Sequence, residues 1–244
     1  MLGLFFADGC VAKNGSSLVL GSIDEELVDI FCKLLFIGNS SKRVYQRNRK
    51  SFWVASASRV ALVKDLIELG CTPQKSLTLK FPSIPLEICS HFIRGYFDGD
   101  GCISSRKRQN HYVSRWELMS TSSFCLKVSE ILETQGISCY IFNPPSFKQS
   151  VVAVENKQSL NVLFDYLYQE SGDLRLSRKY LKFQNLLTGD SYQGKKRFSC
   201  WSKDEDYVIL SNDGLTWKEL ERFLPNRNAE AIRLRAYRLY KKKP

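Results

Sequence analysis

The stretch Gly-Leu-Phe-Phe-Ala-Asp-Gly-Cys-Val opening at Gly3 returns, 92 residues later, as Gly-Tyr-Phe-Asp-Gly-Asp-Gly-Cys-Ile opening at Gly95. A repeat at that distance constrains the fold more than composition does, because whatever one copy packs into, the other must also pack into. The residues downstream of the two copies run in parallel. After the first come strand-like residues 17–22, an amphipathic helix over 24–38, a basic strand over 42–49, a strand over 52–58 and a helix over 59–70. After the second come a strand over 111–121, a helix over 123–136, strands over 138–144 and 149–156, and a helix over 159–172. Apolar spacing of 3.6 residues marks the helices, and alternation with β-branched or aromatic content marks the strands. Each half therefore reads αββαββα, and the fold class expected is α+β, a duplicated unit with halves at 1–91 and 92–188.

The motif spacing suggests a purpose. On a helix, Gly3 and Ala7, like Gly95 and Gly99, lie four apart on one face, which lets two such helices bring their backbones close. Asp8 and Asp100 then emerge side by side where Gly9 and Gly101 are expected to end the helices in left-handed caps. Two carboxylates held together repel and shift each other's protonation unless a cation lies between them. Oxygen donors of this kind suit magnesium, with manganese or calcium as other hard occupants, and such an ion can activate water against a phosphate. One Asp-Gly after small residues is an ordinary turn; two in equivalent places of a repeat are not.

Charge names the partner class. Lys and Arg number 36 against 25 Asp and Glu, a formal net charge of +11, which favours a polyanion. No apolar run approaches the ~18 residues that mark a membrane span, and no secretory leader precedes the motif, so an intracellular, nucleic-acid-binding protein is expected, in a compartment the sequence does not specify. The eight cysteines, Cys10, Cys32, Cys71, Cys89, Cys102, Cys125, Cys139 and Cys200, form no C-x-x-C pair, and His91 and His111 are the two histidines. That pattern argues against a structural zinc, a disulfide framework and histidine-rich nuclease chemistry.

Residues 1–9, MLGLFFADG, and 93–101, IRGYFDGDG, resemble the paired signature helices of the LAGLIDADG homing endonucleases in their single-chain form, with the likeness running over about residues 1–188. The resemblance implies two four-stranded antiparallel sheets forming a saddle on double-stranded DNA, with the motif helices on a pseudo-twofold axis. It implies metal-dependent cleavage of both strands across the minor groove, leaving 3' overhangs at a long, specific site, by an enzyme free-standing or encoded in an intron and acting as a monomer. Asp8 and Asp100 fall on the family's metal-binding acidic position. Phe6 and Asp98 fall on an earlier, variable position and are not assigned as ligands. The family also places a basic residue near the end of each half, which nominates Lys75 in TPQKS and Lys179 in LSRKY to stabilise charge on the phosphate, with Arg178 a competing assignment.

Readout would come from the strands. Alternation puts Arg43, Tyr45, Arg47 and Arg49 on one strand face, and the second half offers Arg106, Lys107 and Arg108, expected in a hairpin loop, together with Arg115. Residues 189–199, rich in Gly, Ser and charge, read as a linker. The remainder, 200–244, matches neither half and reads as three helices starting at SKDED, at LTWKEL and after LPNRN. It resembles a Myb/SANT-type helix-turn-helix, with Trp201 and Trp217 on core positions and Ala236, followed by Tyr237, where a third core aromatic is usual. The likeness implies a last helix, about Ala229 to Tyr240, entering a major groove with Glu230, Arg233 and Tyr237 outward. Residues 192–244 carry 13 Lys/Arg against 7 Asp/Glu, a net +6, which favours DNA over a protein partner for this segment. A DNA-binding regulator or intron maturase that no longer cuts is the alternative on the same scaffold; the presence of both Asp8 and Asp100 favours the enzyme.

Overall fold

The computed structural model describes residues 1–12, 15–38, 41–47, 50–73, 75–108, 111–188, 201–212, 214–225 and 227–240. The chain divides into two compact units, Met1–Ser191 and Tyr192–Pro244. The expected linker, 189–199, lies outside the described residues, as does Cys200.

The first unit repeats one order of elements. Its first half runs α1 (Leu2–Asp8), β1 (Gly9–Val11), β2 (Ser17–Ser22), α2 (Glu25–Leu34), β3 (Lys42–Arg47), β4 (Lys50–Ser58) and α3 (Val60–Glu68). The second runs α4 (Cys89–Asp100), β5 (Cys102–Arg108), β6 (His111–Ser120), α5 (Ser122–Thr134), β7 (Tyr140–Phe142), β8 (Ser150–Val154) and α6 (Lys157–Tyr168). A further helix, α7 (Ser177–Thr188), comes after these. The strands form two four-stranded sheets of the same order, β1-β2-β4-β3 and β5-β6-β8-β7, with every pairing antiparallel.

Alternation decides which sheet face is buried. In β2 the pattern puts Leu18 and Leu20 inside, opposite Ala57 and Ala55 of β4, and these four meet the helices. In the second half Ile103 pairs with Trp116 and Leu118 with Val152, all buried. One continuous apolar core joins the halves, with Phe5, Phe6, Phe92, Phe97 and Trp116 among its members. Rings meet across it, Phe6 edge-on to Phe92 at 5.3 Å and Phe97 stacked on Trp116 at 5.3 Å. Left-handed glycines end α3 and α5: Gly70 at φ +98 and Gly136 at φ +72, where any side chain would be strained.

The second unit is all-helical: α8 (Lys203–Ser211), α9 (Trp217–Leu220) and α10 (Ala229–Tyr240). Two reciprocal caps start the first two helices. Ser202 and Thr216 each accept a backbone N–H from the glutamate three residues on, Glu205 and Glu219, whose carboxylates return to the cap N–H. Ile209, Leu220, Leu224, Ile232 and Ala236 make its small core, with Trp201 and Trp217 packed on it, partly buried.

Candidate functional site

α1 and α4 touch along their small residues. A Cβ placed on Gly3 would lie 1.9 Å from the Phe92 carbonyl oxygen, one on Gly95 would lie 2.8 Å from the Leu4 nitrogen, and one on Gly99 would lie 2.5 Å from the Ala7 Cβ. The glycines at the helix ends do a different job from the one expected. Gly9 and Gly101 are extended, with φ of −79 and −78, not left-handed. They are small because the chain turns back over an aromatic ring: a Cβ would lie 2.5 Å from the Phe5 ring at Gly9 and 2.1 Å from the Phe97 ring at Gly101.

That packing sets Asp8 and Asp100, the last residues of the two helices, within each other's field. Burial pushes the Asp8 carboxyl up from near 3.8 to about 6, and the Asp100 charge pushes the same way, against the pull of Lys179 and Lys75. Asp100 is more open to solvent, yet crowding by protein strips part of its hydration and raises it too, with Lys179 and Lys75 opposing. Crowded carboxylates that are costly to ionise together are what a hard dication relieves, so the donor set fits one. Among the described residues no group of three or more His, Cys, Asp or Glu side chains is arranged to hold a metal. An ion between Asp8 and Asp100 would thus keep several waters, the habit of magnesium.

Two buried lysines, Lys179 and Lys75, act on both carboxylates. Lys75 opens a single 3-10 turn, Lys75–Leu77, and its Nζ donates to the Gly9 carbonyl. Lys179 sits in the first turn of α7, and its Nζ donates to Phe97 O at 2.6 Å, Gly99 O at 3.1 Å and Gly101 O at 2.7 Å. Burial pulls the Lys179 ammonium down to about 8, with Asp98 the largest opposing charge. Lys75 and Lys179 thus fasten to Gly9 and Gly101, the matching glycines of the two motifs. All three Lys179 donors are used on carbonyls, which leaves its ammonium to act on other groups by charge alone. Arg178 turns elsewhere, to Asp24 through Nε at 2.6 Å and a second nitrogen at 2.5 Å.

Two charged residues that sequence reading left aside lie on the inner face of α4. Asp98 is buried, accepts the Leu176 N–H at 3.0 Å through Oδ2 and has no partner for Oδ1; burial raises it to about 6. Arg94, also buried, donates to Leu167 O at 2.8 Å and Leu174 O at 3.1 Å. Spacing of four on a helix was the available signal, masked by the apolar residues around them. The helical nature of α7 was also readable, from Tyr180, Phe183 and Leu187 at three- and four-residue steps.

The sheets place the remaining residues. Arg43 and Tyr45 pair with Val54 and Phe52, on the face away from the core, and both are exposed. Arg47 lies in β3 with its side chain undescribed, and Arg49 lies outside the described residues. Arg106, Lys107 and Arg108 are the last residues of β5, not a loop: the strand pairs as far as Arg108 with His111. Arg106 is on the outward face, whereas Lys107 shares the parity of buried Ile103; both are exposed. The side chain of Arg108 is undescribed. Arg115 is outward but engaged, with Glu155 at 2.5 Å and Glu117 at 2.8 Å and its guanidinium over Phe142 at 5.5 Å. In the second unit Glu230 and Arg233 pair at 2.7 Å on the surface of α10, Tyr237 is exposed one turn on, and Ala236 is buried.

Residues 87–167 match the family model described as a LAGLIDADG-like domain. The solved structures similar to this chain share the fold of LAGLIDADG homing endonucleases. I-LtrWI, a LAGLIDADG homing endonuclease bound to target DNA, aligns with a TM-score of 0.54 at 10% identity over 79% of this chain and 89% of its own. The LAGLIDADG meganuclease I-AabMI, bound to uncleaved DNA, gives 0.52 at 10% identity over 77% and 88%. A curated relative from Methanocaldococcus jannaschii, named "Probable translation initiation factor IF-2", is 32% identical over 120 residues, 46% of this chain. The match spans 10% of that protein's length. Among the described residues no helix is long and apolar enough to cross a membrane.

Proposed function

We propose that this chain is a site-specific double-strand DNA endonuclease, working with magnesium, that cuts across the minor groove to leave 3' overhangs. The observation that carries this reading is the convergence of Asp8 and Asp100, from two helices in backbone contact, with Lys75 and Lys179 buried beside them. Asp8 and Asp100 would hold the ion, which when bound polarises the scissile phosphate and activates water. The chain's own part is positional. The Gly3 and Gly95 contacts fix the carboxylates, while Lys75 and Lys179 hold positive charge where the phosphate gains negative charge. Arg43, Tyr45, Arg106 and Lys107, with Arg47, Arg49 and Arg108, would follow bases and phosphates along the groove. Arg115 would contribute less, because its charge is spent on Glu117 and Glu155. A helix-turn-helix module at 200–244 would extend the site through Glu230, Arg233 and Tyr237, joined by the linker 189–199 to the halves at 1–91 and 92–188.

A plasmid library incubated with magnesium, its ends then sequenced, tests the reading. Asp8→Asn or Asp100→Asn should abolish cutting and leave DNA affinity within about tenfold, roughly 1.4 kcal/mol. A single mutant that linearises target plasmid as fast as the parent would remove the shared-ion assignment. Deleting residues 195–244 should shorten the footprint on one side and weaken binding by about tenfold, with a flatter salt dependence. An unchanged footprint would assign that unit to another partner.

A further inference from the structure

Asp24 stands at the N-cap of α2, yet its side chain caps nothing. Both carboxylate oxygens go instead to Arg178, at 2.6 and 2.5 Å. Two residues on, Glu26 accepts the Ser177 N–H at 2.9 Å and the Ser177 hydroxyl at 2.5 Å. Ser177 and Arg178 are the first two residues of α7, and Lys179 is the third. An aspartate that gives up the capping bond its position offers, and a glutamate that meets a partner more than a hundred residues away in sequence, together fix where α7 begins.

The opposite corner is built the same way with different chemistry. Thr121, at the N-cap of α5, accepts the Phe124 N–H and donates its own hydroxyl proton to Leu79 O at 2.5 Å. Gln149 Nε2 donates to Ser76 O at 3.3 Å. Ser76 lies within the turn that Lys75 opens, and Leu79 lies two residues past its end. The start of each half's second helix therefore grips the lysine-bearing segment of the other half, ionically in one direction and through neutral hydrogen bonds in the other.

We infer that these crossed braces position the two lysines. Asp24 and Glu26 of the first half set Lys179 of the second, and Thr121 of the second sets Lys75 of the first. This rests on the reading of Lys75 and Lys179 as the charges serving the two scissile phosphates. The two strands are then cut at separable rates. Exposed ion pairs weaken with ionic strength while neutral hydrogen bonds do not, so salt slows the strand served by Lys179 first.

The experiment uses the full chain and the target recovered from the plasmid library, with the two DNA strands labelled separately. Asp24→Ala combined with Glu26→Ala should slow one strand by about tenfold, accumulate nicked circles and leave affinity and the other strand unchanged, since small misplacement of a catalytic group is costly. Thr121→Val should slow the opposite strand, with Thr121→Ser restoring it. The swap Asp24→Arg with Arg178→Asp should recover part of the rate that either single change loses. Amide hydrogen exchange on the DNA-free protein supplies a readout independent of cutting: Asp24→Ala with Glu26→Ala should speed exchange at Ser177 and Lys179 but not at residues 76–79. Equal slowing of both strands, or exchange unaltered at α7, would overturn the braces. A parent protein that cuts nothing yet shows the exchange difference would overturn the endonuclease reading and leave the braces standing.

Discussion

In the second half the motif helix α4 runs 12 residues and carries Arg94 and Asp98 on its inner face; in the first, α1 runs 7 and has Leu2 and Phe6 at the matching places. Arg94 and Asp98 bond to the loop that leads into α7, whereas Phe6 fills space against Phe92. The two halves nonetheless agree at most of the positions where the helices touch or the carboxylates emerge: Gly3 with Gly95, Asp8 with Asp100, Gly9 with Gly101, with Ala7 against Gly99 the small-residue exception. Close packing across a twofold leaves no freedom at those positions, because each glycine faces backbone or its own helix's ring. Behind the site, each half is free to hold its lysine by its own means, polar in the second and a short turn in the first.

The largest effect that would sharpen this comparison lies in the lysines. Lys75→Met and Lys179→Met should each lower the cleavage rate by about 10² with little change in affinity if, as proposed, they act on developing charge. Single-turnover rates and binding isotherms on the same target separate the two quantities. Arg178→Met should act more weakly, through α7. If Arg178→Met matched Lys179→Met while Lys179→Met left the rate intact, the roles of the neighbours would exchange.

Next in size is the contact itself. Gly3→Ala forces a methyl to within 1.9 Å of Phe92 O, against 2.8 Å from Leu4 N for Gly95→Ala. Gly3→Ala should therefore destabilise by about 3 kcal/mol and Gly95→Ala by less, as chemical denaturation would read. Equal losses would mean that the helices slide to share the strain.

The smallest effect concerns pH. Asp8 titrates near 6 in the folded protein, above its ordinary 3.8, so the folded state holds a proton the unfolded chain has already released. Stability from this group is present below about pH 4 and is lost as pH rises through 6 in metal-free protein. Asp8→Asn should flatten that slope and raise the melting temperature at pH 7. Magnesium should flatten it in the parent protein, and a slope indifferent to both would place the titration elsewhere.

Much of this was legible in sequence, for physical reasons that differ by element. The duplicated αββαββα order comes from periodicity, and the close approach of the motif helices from small residues four apart. The left-handed ends expected at Gly9 and Gly101 were wrong because smallness and positive φ are separate uses of glycine. The chain does use positive φ to stop helices, at Gly70 and Gly136. Arg106 to Arg108 read as a loop because three consecutive basic residues lack alternation, yet they close β5, where Arg106 and Lys107 point to opposite faces and are both exposed. The bonds from Asp24 and Glu26 to α7 carry no local signature, since their partners lie about 150 residues away in sequence.

The carbonyls that Lys75 and Lys179 bind stand at the negative ends of two helix dipoles, each equivalent to roughly half an elementary charge. With Asp8 and Asp100 ionised, those ends and the two ammonium groups leave about one negative charge where α1 and α4 end, in a chain of net charge +11. Long-range attraction therefore favours a polyanion, while at the ends of α1 and α4 the local charge has the opposite sign and favours cations. On the proposed endonuclease reading, approach and chemistry are thereby separated: the outer field would deliver the duplex, and the inner well would require a counterion before a phosphate settles there.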